Sequence, residues 1–277
     1  MTIKFTIVMP CYNAEKFIQY AIDSVVEQSY KNYELIVVDG GSIDGTMEIL
    51  KFNYNKIDCL ISETDDGQSD AFNKGFSLAK GNFFLWLNAD DLLMPKLLED
   101  AANFLGANKD CNWLACHTVF IDKNGFVKNF HHGPGWNEYL NITHRPQVEC
   151  PTSIFHRDLF NEAGGFDLRL HYSMDLDLWR TFIKNGHKWS RLDRYGYIFR
   201  IHDDSKTNKE TTPAHSSPDE IFQGEILRLK HKINYKISSI IISRILKLFL
   251  CMPYSYLDRL RWRGIHISEY IKGSASV

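Results

Sequence analysis

The chain has 277 residues, 44% of them hydrophobic and 24% charged, and a formal net charge of -2 at pH 7. That balance excludes a disordered polymer and a strongly basic nucleic-acid binder, and the length suits one large α/β domain with an appendage. The small total hides an asymmetry: from Asp219 onward ten Lys/Arg stand against five Asp/Glu, a basic tail on an acidic body.

Phe5 to Pro10 is a β-branched run stopped by proline, and Ile18, Ala21, Ile22 and Val25 recur at helical spacing through Gln28, which predicts a strand followed by a helix. Tyr33 to Val38 predicts a second strand, which ends in Asp39-Gly40-Gly41-Ser42-Ile43-Asp44-Gly45-Thr46 before Met47, Ile49 and Leu50 begin another helix. Glycines there let the chain turn tightly and a ligand approach the backbone. A third strand is expected at Asp58 to Ser62, a helix from Gln68 to Ala79, and a fourth strand in the apolar run from Phe83 that stops on Asn88-Ala89-Asp90-Asp91. Strands alternating with helices at this spacing predict a parallel, doubly wound sheet. Ligands of such sheets bind outside the carboxyl ends of the strands, so Pro10, Asp39 and Asp90 should line one crevice. The adjacent carboxylates suit a divalent cation, and equally an Asp-rich cap for the next helix.

After Pro95 a helix is expected to about Gly106, and Trp113 to Asp122 with Phe126 to Phe130 reads as a hairpin around Lys123-Asn124-Gly125. This small antiparallel part should close the far side of the crevice. The His131-His132 loop receives no role, and the Asn141-Ile142-Thr143 sequon matters only in a secreted protein. A helix ends near Glu162-Ala163-Gly164, and another starts at Ser173 with Leu178, Trp179 and Phe182 as its buried face. Asp175 lies in its first turn, where the helix dipole favours an ionised carboxylate; Asp175 and Asp177 also read as ordinary first-turn charges. Tyr195 to Ile201 is a late strand carrying Arg200 and ending in His202, followed by a polar segment, 206–218, that reads as a flexible loop or lid.

From Asp219 to about Phe249 the pattern is helical, with Ile237, Ile240, Ile241, Ile245 and Leu248 on a stripe among Lys230, Lys232, Lys236 and Lys247. Such a stripe can lie on an anionic membrane or pack on the body or a second subunit through 219–250. The apolar run from Ile237 to Met252 is broken by Arg244 and Lys247 and is short of the roughly 20 residues that span a bilayer. The amino terminus lacks a signal peptide's long apolar region, and the six cysteines have no CxxC spacing, which predicts reduced thiols in a cytosolic protein.

Placed in order, these motifs resemble the family 2 glycosyltransferases, inverting enzymes of the GT-A fold that use nucleotide-sugar donors, from surface-polysaccharide pathways in particular. The resemblance covers roughly residues 3 to 205. It implies a catalytic domain at 1–205, with a nucleotide-binding half to about residue 92 and an acceptor half from 93 to 205. Thr6 to Asn13 looks like the opening strand, Val37 to Thr46 like the nucleotide loop, and Asp66 to Gly75 like a helix start of that family. By resemblance, Pro10, Tyr12, Asn13, Asp39, Gly41, Asp70, Asn73, Lys74, Asn88 and Ala89 bind the donor, with Asp39 on its base. Leu87 to Asp91 matches the DxD motif, so Asp90, helped by Asp91 and His202, is expected to hold Mg²⁺ or Mn²⁺. Met174-Asp175-Leu176-Asp177 matches the motif of the catalytic base, Asp175.

The departures are Gly40 and Asn88, where the commoner pattern has aspartates. The QxxRW pattern of processive synthases is absent after Asp175, which favours single transfers. The implied partners are a UDP- or dTDP-sugar rather than a GDP-sugar and a glycan or lipid-linked acceptor, with no nucleic acid, at the cytoplasmic side of a membrane. A sugar nucleotidyltransferase and a silent nucleotide-sugar binding subunit are the alternatives.

Overall fold

The computed structural model describes residues 2–133, 135–136, 148, 152–171, 173–203 and 252–274. The loop expected at 206–218, the helical stripe from Asp219 to Phe249 and the Asn141 sequon lie outside the described residues.

Strands β1 (Phe5–Cys11), β2 (Tyr33–Asp39), β3 (Cys59–Ser62) and β4 (Phe83–Trp86) pair in parallel, linked by helices α1 (Ile18–Val26), α2 (Thr46–Phe52) and α3 (Gln68–Ser77). The apolar runs are continuous because both faces of the sheet are covered. Ile7, Met9, Leu35, Val37 and Leu85 pack with Ile18, Ile22 and Val25 of α1. The alternate residues Val8, Ile36, Val38, Phe84 and Trp86 pack with Ala71, Phe72 and Phe76 of α3. Gly75 lets α3 lie close to the sheet, since a Cβ there would stand 2.4 Å from Val8 Cγ1.

The second half comprises β5 (Leu92–Leu93), α4 (Leu97–Ala107), the hairpin of β6 (Trp113–Asp122) and β7 (Val127–His131), β8 (Ser153–His156), α5 (Arg157–Ala163), α6 (Met174–Lys184) and β9 (Ser190–Ile201). The nine strands form one mixed sheet in the order β3-β2-β1-β4-β8-β6-β9-β5, with β7 on β6. Periodicity predicts neither β5 nor β8. β8 runs antiparallel between β4 and β6 and so joins the two halves. β5 pairs Leu92 with Ile198 and Leu93 with Tyr197, which holds the segment after β4 against β9. Helix α6 docks by aromatic stacking: the Trp179 ring lies 5.5 Å from that of Trp86, tilted by 6°, and 5.2 Å from that of Trp113.

The end of the chain returns to the body as α7 (Met252–Trp262) and α8 (Ile267–Ser274). Gly264 donates to the Val127 carbonyl at 2.8 Å, Val127 to that of Ile265 at 2.9 Å and Ile267 to that of Gly125 at 2.8 Å. Ile267 and Tyr270 enter a core with Val119, Ile121, Val127, Phe130 and Ile198. This last part of the basic tail therefore packs on the body. Among the described residues no helix is long and apolar enough to cross a membrane.

Two expected outcomes test this packing. Gly75→Ala should lower unfolding free energy in urea by about 1–3 kcal/mol, because Val8 has no room to retreat. His117, buried on β6 with Nε2 2.8 Å from Asp193 Oδ1, has its pKa pushed by burial from 6.5 to about 4, against the pull of Asp193. The unfolded chain thus takes up this proton first as pH falls. Stability should be fully present above pH 6.5 and decline by about 3 kcal/mol toward pH 4, and His117→Gln should flatten that part of the profile of urea midpoints.

Candidate active site

The turn after β4 is organised around a carboxylate that water does not reach. Asp91 is 1% exposed, and its Oδ1 accepts from the Arg200 backbone N–H at 2.8 Å. Its Oδ2 accepts from the Tyr197 hydroxyl at 2.8 Å and from Asn88 Nδ2 at 3.0 Å. Burial, with Asp90 alongside, pushes its pKa well above the ordinary carboxylate range, against the pull of these three donors. The sequence reading of Asp91 as a helper on the metal is therefore corrected: its oxygens are committed to the protein. Asn88 is also explained, because a carboxylate there could not donate to Asp91 and would repel it.

Asp90, by contrast, keeps its side chain 30% exposed, and its Oδ2 shares a 2.9 Å hydrogen bond with His202 Nε2 at the end of β9. The His202 ring packs on that of Phe17 at 4.9 Å, which fixes its plane. Arg200 donates from Nε to the Asp90 carbonyl at 2.8 Å, with its guanidinium 4.7 Å from the Phe17 ring centre and 5.9 Å from that of Tyr20. One carboxylate and one imidazole suit a hard divalent ion that takes its other ligands from phosphate and water. Among the described residues no group of three or more His, Cys, Asp or Glu could hold a metal. Among the described residues the arrangement presents two donors, one carboxylate and one imidazole. Sequence reasoning missed Tyr197, and it named Arg200 without a role, since their partners lie more than a hundred residues away in the chain.

At the carboxyl ends of β1, β2 and β3, two loops are zipped together. Gly40 N–H donates to the Cys11 carbonyl at 2.9 Å, Asn13 N–H to Ser42 Oγ at 2.8 Å, and Ile43 N–H to Asn13 Oδ1 at 3.0 Å. Asn13 adopts the left-handed backbone, φ 50°, that Asn tolerates better than most residues. Pro10 is buried in β1, Tyr12 is 63% exposed, and Gly41 turns the chain at φ 84°. Asp39, expected on the base, is fully buried. It accepts from Ser42 N–H at 3.2 Å, Ser62 Oγ at 2.8 Å and Ser42 Oγ at 2.5 Å, so it holds the loop rather than facing the crevice.

Helix α3 ties the two walls. Gln68 Nε2 donates to Asn88 Oδ1 at 2.9 Å, and the next residue, Ser69, shares its one hydroxyl proton between the Leu170 carbonyl, 2.9 Å away, and Met174 Sδ, 3.0 Å away. Two consecutive residues thus link the Asn88–Asp91 turn to the start of α6, where Asp175 is half-buried. Asn73, expected on the donor, instead exchanges bonds with Phe166, giving to its carbonyl at 2.9 Å and accepting from its N–H at 2.8 Å. Lys74 pairs with Glu63 at 2.8 Å and Asp70 at 3.0 Å, and its hydrogen bond lowers the Asp70 pKa. Ala89 is buried and offers only its backbone. A cavity of about 440 Å³ lined by Thr2, Asn82, Cys111, His156 and His187 lies at the opposite, amino edge of β1 and β4, away from these groups.

Residues 6–162 match the family described as glycosyl transferase family 2. The chain is 34% identical over 215 residues to an uncharacterized glycosyltransferase of Rickettsia typhi, covering 73% of this chain. It is 30% identical over 181 residues to WfgD of Escherichia coli, named as a UDP-Glc:alpha-D-GlcNAc-diphosphoundecaprenol beta-1,3-glucosyltransferase, covering 65% of this chain and 70% of that one. Of the relatives from Rickettsia typhi and Rickettsia prowazekii the chain spans 65% and 58%, less than two thirds of each. The crystal structure of S. aureus TarS 1-349 in complex with UDP-GlcNAc is similar with a TM-score of 0.64 at 21% identity, covering 82% of this chain and 66% of that one. That likeness is one of fold, and the mostly parallel α/β sheet with an antiparallel part is the GT-A arrangement expected from the motifs.

The Asp91 network gives a measurable consequence. Tyr197→Phe removes one of three donors to a buried carboxylate and should cost about 1–3 kcal/mol in urea unfolding. Tyr20→Phe, in a residue 61% exposed, should stay within about 0.5 kcal/mol of the parent.

Proposed function

We propose, on the premise that the chain belongs to glycosyltransferase family 2, that it moves one sugar from a nucleotide donor, with inversion, onto a hydroxyl of a glycan or lipid-linked acceptor. The observation that carries this reading is the pairing of Asp90 with His202 on a turn that α3 connects to the start of α6. A site for the diphosphate and a carboxylate for the acceptor are thereby held by one short helix.

In an inverting displacement the acceptor oxygen bonds to the anomeric carbon as the bond from that carbon to the diphosphate breaks. Asp175, on the acceptor side, takes the hydroxyl proton, a role typically worth about 10²–10⁴-fold in rate. Asp90 and His202 would hold a Mg²⁺ or Mn²⁺ ion, which when bound supplies positive charge to the departing diphosphate. Arg200 keeps Asp90 in place through its carbonyl, and Phe17 keeps His202 in its plane.

A uridine or deoxythymidine diphosphate sugar is the favoured donor, as WfgD is named for UDP-Glc and TarS was solved with UDP-GlcNAc. WfgD is also named for a diphosphoundecaprenol-linked acceptor, which supports a lipid-linked acceptor here. An acceptor of that kind, together with the basic residues beyond Asp219, supports peripheral contact with the inner face of a membrane.

Transfer assays with a uridine donor test the roles. Asp175→Asn and Asp90→Ala should each lose at least about 10²-fold in turnover. Mn²⁺ should raise the melting temperature of the native protein when UDP is present, and do so less in Asp90→Ala. Near-native turnover in either variant removes the role assigned to that residue.

A further inference from the structure

We propose that the outward face of α7 is a docking surface for an anionic lipid bilayer, with Leu257 and Leu260 entering the headgroup layer and Arg259, Arg261 and Arg263 on its phosphates. The inference rests on the reading of the chain as peripheral to a membrane and names the surface that makes the contact.

One side of α7 is committed to the body. Ser255 is buried, Asp258 Oδ2 accepts from the Tyr195 hydroxyl at 2.5 Å and lies 3.0 Å from His132 Nε2, and the Trp262 ring sits 5.2 Å from that of Tyr270. Those contacts fix the rotation of the helix and hence what it turns outward. Tyr256, Leu257 and Leu260 are 58%, 63% and 68% exposed. At about 100° per residue, Leu260 falls about 40° and Leu257 about 100° from Tyr256 round the helix axis, so the three form one stripe opposite the buried side.

Arginine borders that stripe on both edges. Arg259 and Arg263 stand on one flank and Arg261 on the other, all exposed, and the helical turn reaches Arg263, whose N–H donates to the Arg259 carbonyl at 3.1 Å. Within 252–263 the one acidic residue is Asp258, and it is turned inward. An apolar stripe between two cationic margins fits a helix lying in the plane of an anionic interface: the leucines sink below the phosphates and the arginines reach sideways to them. Other occupants suit it less. A second copy across a two-fold axis would set the same three cations against each other, and nucleic acid would offer the leucines no apolar layer. The position also suits an acceptor carried by lipid. The chain after α7 is bonded to the hairpin at Gly125 and Val127, and Lys123 of the same turn pairs at 3.3 Å with Asp203, next to His202.

Co-sedimentation of the full chain with vesicles of phosphatidylcholine, alone or mixed with phosphatidylglycerol, tests this. The native protein should partition at least about tenfold more strongly onto the mixed vesicles, and salt should weaken that binding. Arg259→Gln, Arg261→Gln and Arg263→Gln combined should lose roughly 100-fold, about fivefold per arginine. Leu257→Ser with Leu260→Ser should lose at least about tenfold at unchanged charge. Melting temperatures of both variants without lipid, close to the parent's, separate these effects from misfolding. Lys230→Gln, Lys232→Gln and Lys236→Gln combined should lose less than the arginine variant; a larger loss there overturns the assignment to α7 alone. Leucine substitutions that leave vesicle binding intact and instead turn a dimer into a monomer also overturn it, in favour of a second copy. Native protein left in the supernatant of the mixed vesicles overturns the peripheral reading and this inference together.

Discussion

A carboxylate sealed from water has to be met by donors, and around Asp91 that requirement shapes the rest of the site. Desolvating a charge costs several kcal/mol unless hydrogen bonds return it. Here they come from three places: the Asn88 amide, the Tyr197 hydroxyl and the Arg200 backbone. Two of the three belong to β9, so the turn after β4 can form only when the last strand is in place. Arg200 then reaches the carbonyl of Asp90, and His202, two residues on, reaches its carboxylate. The neighbour of the exposed aspartate, rather than that aspartate itself, is what fixes its position.

Helix α3 carries this order to the opposite wall. It is pressed on the sheet where Gly75 meets Val8, and from that fixed seat Gln68 and Ser69 reach in two directions. The Trp86–Trp179 stack does the same from the core, joining the strand that precedes Asp90 to the helix whose first turn carries Asp175. Polar and apolar ties therefore agree on one spacing between the two acidic groups. That agreement across levels is what a well-specified site requires.

Much of this was legible before the structure. Strands β1 to β4, helices α1 and α3 and the hairpin from Trp113 to Phe130 followed from apolar period and turn residues, and the edge that collects Pro10, Asp39 and Asp90 followed from strand order. What escaped has a common cause. β5 has two residues, too few for a period, and β8, as short as β3 and β4, lies outside the strand–helix alternation that marks those two; each pairs with a strand distant in the chain. Asp39 and Asn73 were read as ligand-facing by resemblance, and Asp91 because adjacent carboxylates suit a cation. The same types suit a buried loop, and only the positions of Ser42, Ser62, Phe166 and Tyr197 decide between the two. Gly40 read as a lost contact against the commoner pattern, since nothing in the order of residues says that the Asp65 carboxylate returns to that spot, 2.7 Å from where a Cβ on Gly40 would stand.

The seating of residues 264–267 against Val127 and Gly125 has a consequence for biosynthesis. β7 lies at the margin of the sheet, and its outward hydrogen-bonding groups are taken up by a segment more than a hundred residues later in the chain. Domains fold as synthesis proceeds, from the amino end first. The nucleotide half can therefore assemble early, while β7 keeps an open strand until residues 264–267 have emerged. An open strand is a template for pairing with other chains. During that interval the nascent protein is most in need of a chaperone, and a chain cut before residue 264 would keep that need.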